Sequence, residues 1–495
     1  MSIFDENKID RLTKENSELS ILSYDVNSIQ KYIFQSSNIK AIMGASKIIE
    51  EFDKQVIDEM REFYVVTAIG GTGMIIVPSD REMDSKEKIK ALFYQNVPGG
   101  EITLSSVRFK KHELENKIKN DKKYKMLSSI AGVKFENMDG KGSYSDIFKI
   151  LSSEMQRQKS MNVPKPPLFA DVQRCELCNI MPASQSYNFP DGNLHVCKAC
   201  AKKIEKGKEI IQNKGYAQEL SEIHFSEMDE DWIGFIKIDI NNLGNLYSNM
   251  KSAKDFVDKS KQIDQIIENG IKEVVQKHNL TNRYIVPVHG GDDLFILVPS
   301  SKMIEIFRDL STNLKKGLYK IELSFSAGIG ISNIKMPIKF IFESAEALIS
   351  SAKKKAYEGN KKMENFVAFK VISSNSIDPI VEGILYEDDK TKNIYNLGFG
   401  MSIDQFFNDV KFVEDMKKEK VIPFLQKTYT CIKDRYEIAG LNVNYFFYRS
   451  KMENVIKDPI EYFNTIALFE SSKSNGKNTY ESKIPYLLEL SRLWR

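Results

Sequence analysis

Hydrophobic and polar positions along this chain fall into blocks that alternate between a strand-like and a helix-like period. The run Gly234-Phe235-Ile236-Lys237-Ile238-Asp239 is apolar at most positions, as a buried strand is, and it ends at Asp239. A helical pattern of roughly 30 residues then leads to about His278. Two apolar runs, Tyr284–Val288 and Leu294–Val298, are separated by His289-Gly290-Gly291-Asp292-Asp293, which predicts a hairpin with a tight turn. A helix from about Lys302 to Lys315, a strand over Ile321–Ile331, a helix from about Ile338 to Lys355 and a strand over Asn365–Val371 follow. The order β-α-β-β-α-β is that of a split βαβ sheet, in which the first strand lies beside the central hairpin.

That topology brings Asp239 opposite Asp292 and Asp293. An acidic turn alone is ordinary, because charges at a turn contribute little to a core. Three carboxylates from neighbouring strands suit two divalent ions, Mg²⁺ or Mn²⁺, one activating a hydroxyl and one binding a triphosphate.

The pattern occurs twice. Ser23-Tyr24-Asp25-Val26-Asn27-Ser28-Ile29-Gln30 echoes Lys237-Ile238-Asp239-Ile240-Asn241-Asn242-Leu243-Gly244. Tyr64–Ser79 echoes the hairpin, running through Gly70-Gly71 to an apolar strand that ends in Val-Pro-Ser. Aligned on the Gly-Gly pairs, the first copy has Thr72-Gly73 in place of Asp292-Asp293 and an exit strand one residue shorter. It keeps Asp25 but has lost two of three carboxylates, so metal is expected on one side only of a pseudo-twofold pair.

Composition bounds the remaining choices. A chain of 495 residues suggests two to four domains, and 42% hydrophobic with 28% charged residues describes a globular protein. The net charge of +3 gives no argument for nucleic acid. No apolar run approaches the ~20 residues of a membrane span, and the start Met-Ser-Ile-Phe-Asp-Glu-Asn-Lys lacks a signal peptide. A cytoplasmic location is expected. Cys175-x-x-Cys178 and Cys197-x-x-Cys200, eighteen residues apart, have the spacing of a two-knuckle tetrathiolate site for one structural Zn²⁺. Disulfides would conflict with the expected compartment. Cys431 stands alone in an apolar helical stretch and reads as core.

These residues resemble a known family, the large palm polymerase/cyclase subunit of type III CRISPR effector complexes. The resemblance rests on Ser28–Phe34 with Ile42–Lys47, on the four cysteines, on Asp239–Gly244 and Gly290–Asp293, and on Ser326-Ala327-Gly328-Ile329-Gly330 with Ala345–Lys354. The last run is also similar to diguanylate cyclases. The resemblance implies an α+β chain with two ferredoxin-like palm (nucleotidyl cyclase) domains, a zinc-ribbon insert and a helical C-terminal domain. On this chain it divides as a degenerate palm over 1–160, a four-cysteine linker over 161–228, the catalytic palm over 229–380 and the helical domain over 381–495. It implies a nucleotidyltransferase that makes cyclic oligoadenylates from ATP, in a complex with other effector subunits, guide RNA and target RNA. Asp239, Asp292 and Asp293 would bind the two Mg²⁺ or Mn²⁺, with the Ile240 carbonyl as a further ligand. Amides around Asn241, Asn242, Leu243 and Gly244, the turn at Gly290 and Gly291, and Lys353 or Lys354 would meet the triphosphate. Ser46, Gly70 and Gly71 would contact a second ATP.

Two alternatives remain open: a free-standing nucleotide cyclase or dinucleotide synthase, and a scaffold subunit with a silent palm. None of the five histidines precedes an aspartate, and the first palm starts by about Ser20, so the family's His-Asp nuclease is not expected. Lys110-Lys111 and Lys122-Lys123-x-Lys125, among acids, read as a solvated helix, and the basic stretch Ala201–Lys214 as a helix linking the cysteines to the second palm. Beyond about Asp388 the aromatic-rich pattern reads as helical core, and Ser471–Asn478 as a flexible loop.

Overall fold

The computed structural model describes residues 18–110, 144–161, 172–189, 192–248, 253–291, 293–358, 363–372, 384–387, 392–396, 400–420, 422–434 and 477–491, with 447, 455–456, 458 and 469–474. Asp292 and most of the Lys110–Lys125 stretch lie outside these residues. The chain divides into two compact units. One comprises residues 1–218 with 242–265 and 287–291; the other comprises 219–241, 266–286 and 292–495.

In the first unit, β1 (Glu18–Val26), β2 (Tyr64–Ile69), β3 (Thr72–Pro78) and β4 (Ile102–Lys110) form a sheet of order β2-β3-β1-β4. A short helix α1 (Ile29–Ile33) precedes α2 (Ile39–Glu59), α3 (Glu82–Asn96) joins β3 to β4, and α4 (Tyr144–Met161) follows. Asn38 caps α2 by accepting the Ala41 N–H at 3.1 Å. Ala41, Ile42, Ala45, Ile48, Ile49, Phe52 and Val56 recur at helical spacing and bury the face of α2 that meets the sheet. Phe52 stands edge-on to Tyr24 and Phe93, with centroids 5.4 and 5.2 Å away. The cysteine module of the same unit is a two-stranded ribbon, β5 (Gln185–Phe189) and β6 (Gly192–Val196), leading into α5 (Lys198–Lys214).

The second palm begins at β7 (Trp232–Asn241), followed by α6 (Leu243–Ser248), α7 (Ala253–Lys277), β8 (Ile285–Gly290), β9 (Asp293–Pro299), α8 (Met303–Tyr319), β10 (Ser324–Asn333), α9 (Ile338–Glu358) and β11 (Phe366–Ile372). With β14 (Met401–Ser402) its strands form a sheet of order β14-β11-β10-β7-β9-β8. The four strands β8-β9-β7-β10 repeat the order of the first sheet, so both copies place their first strand between the third and the fourth. The internal repeat read from sequence is therefore a repeated fold. Gly328 explains how close α9 lies: a Cβ there would fall 2.4 Å from the Ala345 carbonyl oxygen. Glycine at this point lets α9 lie flat on the strand and brings its charged residues over β7.

Register corrects one part of the sequence alignment. Asp25 pairs with Thr72 across β1 and β3, and Asp239 pairs with Asp293 across β7 and β9. Thr72, not Gly73, therefore occupies the place of Asp293. The two exit strands have equal length, seven residues each, and the missing residue lies in the first turn. The matched Val-Pro-Ser ends were the better anchor, because hydrogen-bonded strands keep register while turns absorb deletions.

The C-terminal region holds α10 (Ile403–Lys418), α11 (Ile422–Asp434) and α12 (Ile484–Leu490), and also a sheet of order β12-β13-β16-β15. Its strands are β12 (Ile384–Glu387), β13 (Lys392–Asn396), β15 (Phe469–Ser474) and β16 (Lys477–Ser482). The loop expected over Ser471–Asn478 is thus a hairpin, with Ser474 paired to Lys477. Its serines and lysines suggested a loop, but a polar edge strand has the same composition. The available signal was the dipeptide Asn475-Gly476 between the paired residues.

Candidate active site and cysteine centre

Asp239 and Asp293 face each other on adjacent strands, as expected from the topology. Each carboxylate already holds a cation. Lys353, from α9, places its Nζ 2.6 Å from Asp239 Oδ1. Lys237, two residues before Asp239 on β7, places its Nζ 3.0 Å from Asp293 Oδ1 and 2.7 Å from a Glu346 carboxylate oxygen. Lys237 is only 1% exposed, and its ammonium lies 4.9 Å from the centre of the Phe342 ring. Burial alone would pull the Lys237 ammonium down, but Asp293 and Glu346 outweigh it and hold it above the ordinary lysine value. Burial pushes the Asp239 carboxyl up, against the pull of Lys353. The site thus concentrates negative charge in a half-buried place and holds positive charge against it, as a metal site does. Two opposed carboxylates, each binding an ammonium, fit a pair of divalent ions in their donor chemistry.

The other predicted residues fall as follows. Ile240 is buried. The Asn241 side chain is tied into the sheet, donating to Ser324 Oγ at 3.1 Å and accepting from Ser326 Oγ at 3.0 Å. Asn242 adopts a left-handed φ of 65° and opens α6, where Leu243 is buried and Gly244 is exposed. Gly290 ends β8, and Gly291 turns with a φ of 63°. Lys353 points to Asp239, whereas Lys354 is exposed. Ser46 is half-buried on α2.

Gly70 and Gly71 make the first turn with φ values of 62° and 78°. The Gly71 N–H is already engaged, donating to Asp53 Oδ2 at 2.8 Å, while Asp53 Oδ1 accepts the Tyr24 hydroxyl at 2.7 Å. Burial pushes the Asp53 carboxyl up to about 7, despite these two donors. A folded-state value above the unfolded one means stability that is full below the unfolded value and is lost as pH rises to the folded one. The parent is therefore expected to lose up to about 4 kcal/mol between pH 4 and 7 through this group. Asp53→Asn should remove that slope in urea unfolding measured at pH 5 and pH 8; an unchanged slope would refute the assignment. Glu82 acts in a different window. Burial opposes its ionisation, but Ser106, Lys86, Arg108 and Ser20 hold it down to about 2.

Sequence reasoning missed Lys237 and Glu346. Their signals were present: one charge inside the apolar run Phe235–Ile238, and an acid two helical turns before Lys353.

The four cysteines converge as their spacing predicts, all four sulfurs lying within 4.8 Å of one another. They are free thiols, and Cys178 and Cys197 Sγ are 4.0 Å apart. A tetrahedron of 2.3 Å metal–sulfur bonds sets sulfurs about 3.8 Å apart. Cys197 caps α5, its Sγ accepting the Cys200 N–H at 3.4 Å. The buried Tyr32 hydroxyl has no hydrogen-bond partner among the described residues, and the Cys200 sulfur contributes to raising its pKa after burial itself. Lys203 is 1% exposed, lies 3.6 Å over the Tyr32 ring and donates to the Tyr32 carbonyl at 2.8 Å. An ammonium and an unused hydroxyl beside four sulfurs suit an anionic metal thiolate centre.

Two ferredoxin-like palms, one with facing carboxylates and one without, define a tandem-palm chain. Residues 232–362 match the family model Cas10/Cmr2, second palm domain. The fold is similar to that of Csm1, of which this chain spans about 70%. The chain is similar to Csm1 in T. onnurineus, with 14% identity and a TM-score of 0.60 over 96% of this chain and 69% of that one. It is also similar to a Csm1-Csm4 cassette in complex with cA4 (14%, TM-score 0.57, 98% and 70%) and to one in complex with pppApApA (13%, 0.54, 96% and 69%). No curated protein matches the sequence. Among the described residues, no helix is long and apolar enough to cross a membrane.

Proposed function

We propose that this chain is a nucleotidyltransferase that makes cyclic oligoadenylates from ATP, as the large subunit of a type III CRISPR RNA-guided complex. One observation carries the reading: Asp239 faces Asp293 in one palm, while Asp25 faces Thr72 in the other. The Cas10/Cmr2 match over that palm supports it, as do the solved cassettes of the same fold with cA4 and pppApApA.

Asp239 and Asp293, with Asp292, would hold two Mg²⁺ or Mn²⁺, and one Zn²⁺ would sit on Cys175, Cys178, Cys197 and Cys200. When bound, the divalent ions supply the charge that activates a 3′-hydroxyl and neutralises the departing pyrophosphate. The hydroxyl of one ATP attacks the α-phosphorus of the next; a P–O bond forms, the bond to pyrophosphate breaks and the hydroxyl proton leaves. Asp239 and Asp293 would hold the ions in place, and catalysis would be chiefly placement and charge neutralisation. Lys353 exchanges its contact with Asp239 for a phosphate oxygen. In the first palm, Gly70 and Ser46 would contact a second nucleotide, whereas the Gly71 N–H is held by Asp53. Csm4-like subunits, guide RNA and target RNA are the expected partners, and the cytoplasm the expected compartment.

The test is mass spectrometry of products from ATP with Mg²⁺ or Mn²⁺, using the chain alone and with co-purifying partners and target RNA. Cyclic oligoadenylates that require partners and target RNA are expected. Product from the chain alone would favour a free-standing synthase, and no product in either setting would favour a silent palm.

A further inference from the structure

The two palms provide an internal comparison at the level of single charges. In the second, Lys353 on α9 binds Asp239; in the first, Lys159 on α4 binds Asp25 at 2.9 Å. Strand register and this shared ion pair align the copies residue by residue. Asp239 corresponds to Asp25, and Asp293 to Thr72. Lys237, two before Asp239, corresponds to Ser23. Glu346, seven before Lys353, corresponds to Ser152, which is exposed on α4. The first palm therefore keeps the Asp–Lys pair and lacks Lys237, Asp293 and Glu346 together, with Ser23, Thr72 and Ser152 in their places.

These three are also one contact set, because the buried Lys237 ammonium bridges Asp293 and Glu346. The two lysines differ in freedom. Lys353 is 31% exposed and can leave Asp239 when a cation arrives, whereas Lys237 is sealed beneath the sheet face and cannot. A residue that served only to pack the sheet would have no reason to disappear with a carboxylate.

We infer that Lys237, steadied by Glu346, is a positioning residue that holds one oxygen of Asp293 and so presents the other to a divalent ion. This inference rests on the proposed reading of Asp293 as a metal ligand. It also explains why a cation is buried so near a metal site: the ammonium fixes the carboxylate without occupying its outward oxygen. Asp293 and Glu346 are both about one-third exposed, so water can solvate them when the ammonium is removed.

The experiment is Mn²⁺ binding to the full-length chain, followed by electron paramagnetic resonance with and without ATP, beside thermal unfolding. Lys237→Met is expected to unfold near the parent temperature and to bind Mn²⁺ tenfold to a hundredfold more weakly, the usual loss for an outer-sphere partner. Glu346→Gln is expected to weaken binding less, since Lys237 keeps its contact with Asp293 and loses only the carboxylate that steadies it from the other side. Parent-like Mn²⁺ affinity in a folded Lys237→Met overturns the inference. If that variant does not fold, parent-like affinity in Glu346→Gln overturns it. Failure of the functional reading looks different. A parent that binds Mn²⁺ at these carboxylates yet makes no oligoadenylate refutes the product and leaves the positioning role standing. A parent that binds no Mn²⁺ refutes both.

Discussion

Asparagine in place of both Asp239 and Asp293 is expected to lower oligoadenylate synthesis by at least about a thousandfold, which is about 4 kcal/mol of barrier. Asparagine keeps the shape and hydrogen-bonding reach of each side chain but removes the negative charge that divalent ions require. The fold should survive. Burial already opposes ionisation of Asp239, so its neutral replacement relieves that penalty. Lys353 loses a partner but is partly exposed, and such pairs contribute little. Lys237 is the greater concern, because a buried ammonium without a counter-ion is strongly destabilising. It retains Glu346 at 2.7 Å, so the variant should unfold within a few degrees of the parent. Product analysis beside a thermal melt decides the matter. Undiminished synthesis would place the chemistry elsewhere, and an unfolded variant would make the pair structural. Adding Asp292→Asn should not reduce activity much further, because carboxylates acting as one site are not additive.

The expectation that Asp239 and Asp293 meet came from sequence because it needs only element order. In a ferredoxin-like sheet the first strand must lie beside the third, whatever the side chains are. The cysteine centre was legible for a similar reason, since paired Cys-x-x-Cys turns have few other uses. Lys237 was not legible. A lone lysine in an apolar strand reads as a charge reaching toward solvent, and only register and the placement of α9 reveal that it reaches Asp293 and Glu346 instead. The alignment of Thr72 failed for a related reason: glycines mark where a chain turns but not how many residues turn it. Asp53 was also hidden. It occurs within an amphipathic helix at a position that periodicity marks for the core, and the donors that satisfy it come from Tyr24 and Gly71, far away in sequence.

Gly44 shows the same limit, and it carries the largest expected loss of stability. It lies in the stretch Ile42–Lys47 that supports the family resemblance, yet the sequence does not say why glycine stands there. On α2, a Cβ at Gly44 would fall 1.6 Å from the Lys203 carbonyl oxygen on α5; reciprocally, a Cβ at Gly207 would fall 1.8 Å from the Lys40 carbonyl oxygen. The two helices cross backbone to backbone, and no rotamer change can relieve the overlap. Gly44→Ala gains about 1 kcal/mol of helix propensity. Against that, α2 and α5 must separate by more than 1 Å to reach the 3.0 Å that real Cβ contacts respect. Ordinary overpacking costs about 1–3 kcal/mol where side chains can yield, and here the obstacle is backbone. Separation would also loosen Lys203 from the Tyr32 carbonyl and Gln35. A net loss above about 3 kcal/mol is therefore expected in urea unfolding, with the one Zn²⁺ proposed for the four cysteines retained, because the overlap does not involve the cysteine side chains. Gly244→Ala is the control, since nothing lies within 4 Å of its Cβ position, and its stability should match or exceed the parent's. Equal stability of Gly44→Ala and the parent would mean that α2 and α5 do not cross this closely, and the attachment of the cysteine module to the first palm would need another explanation.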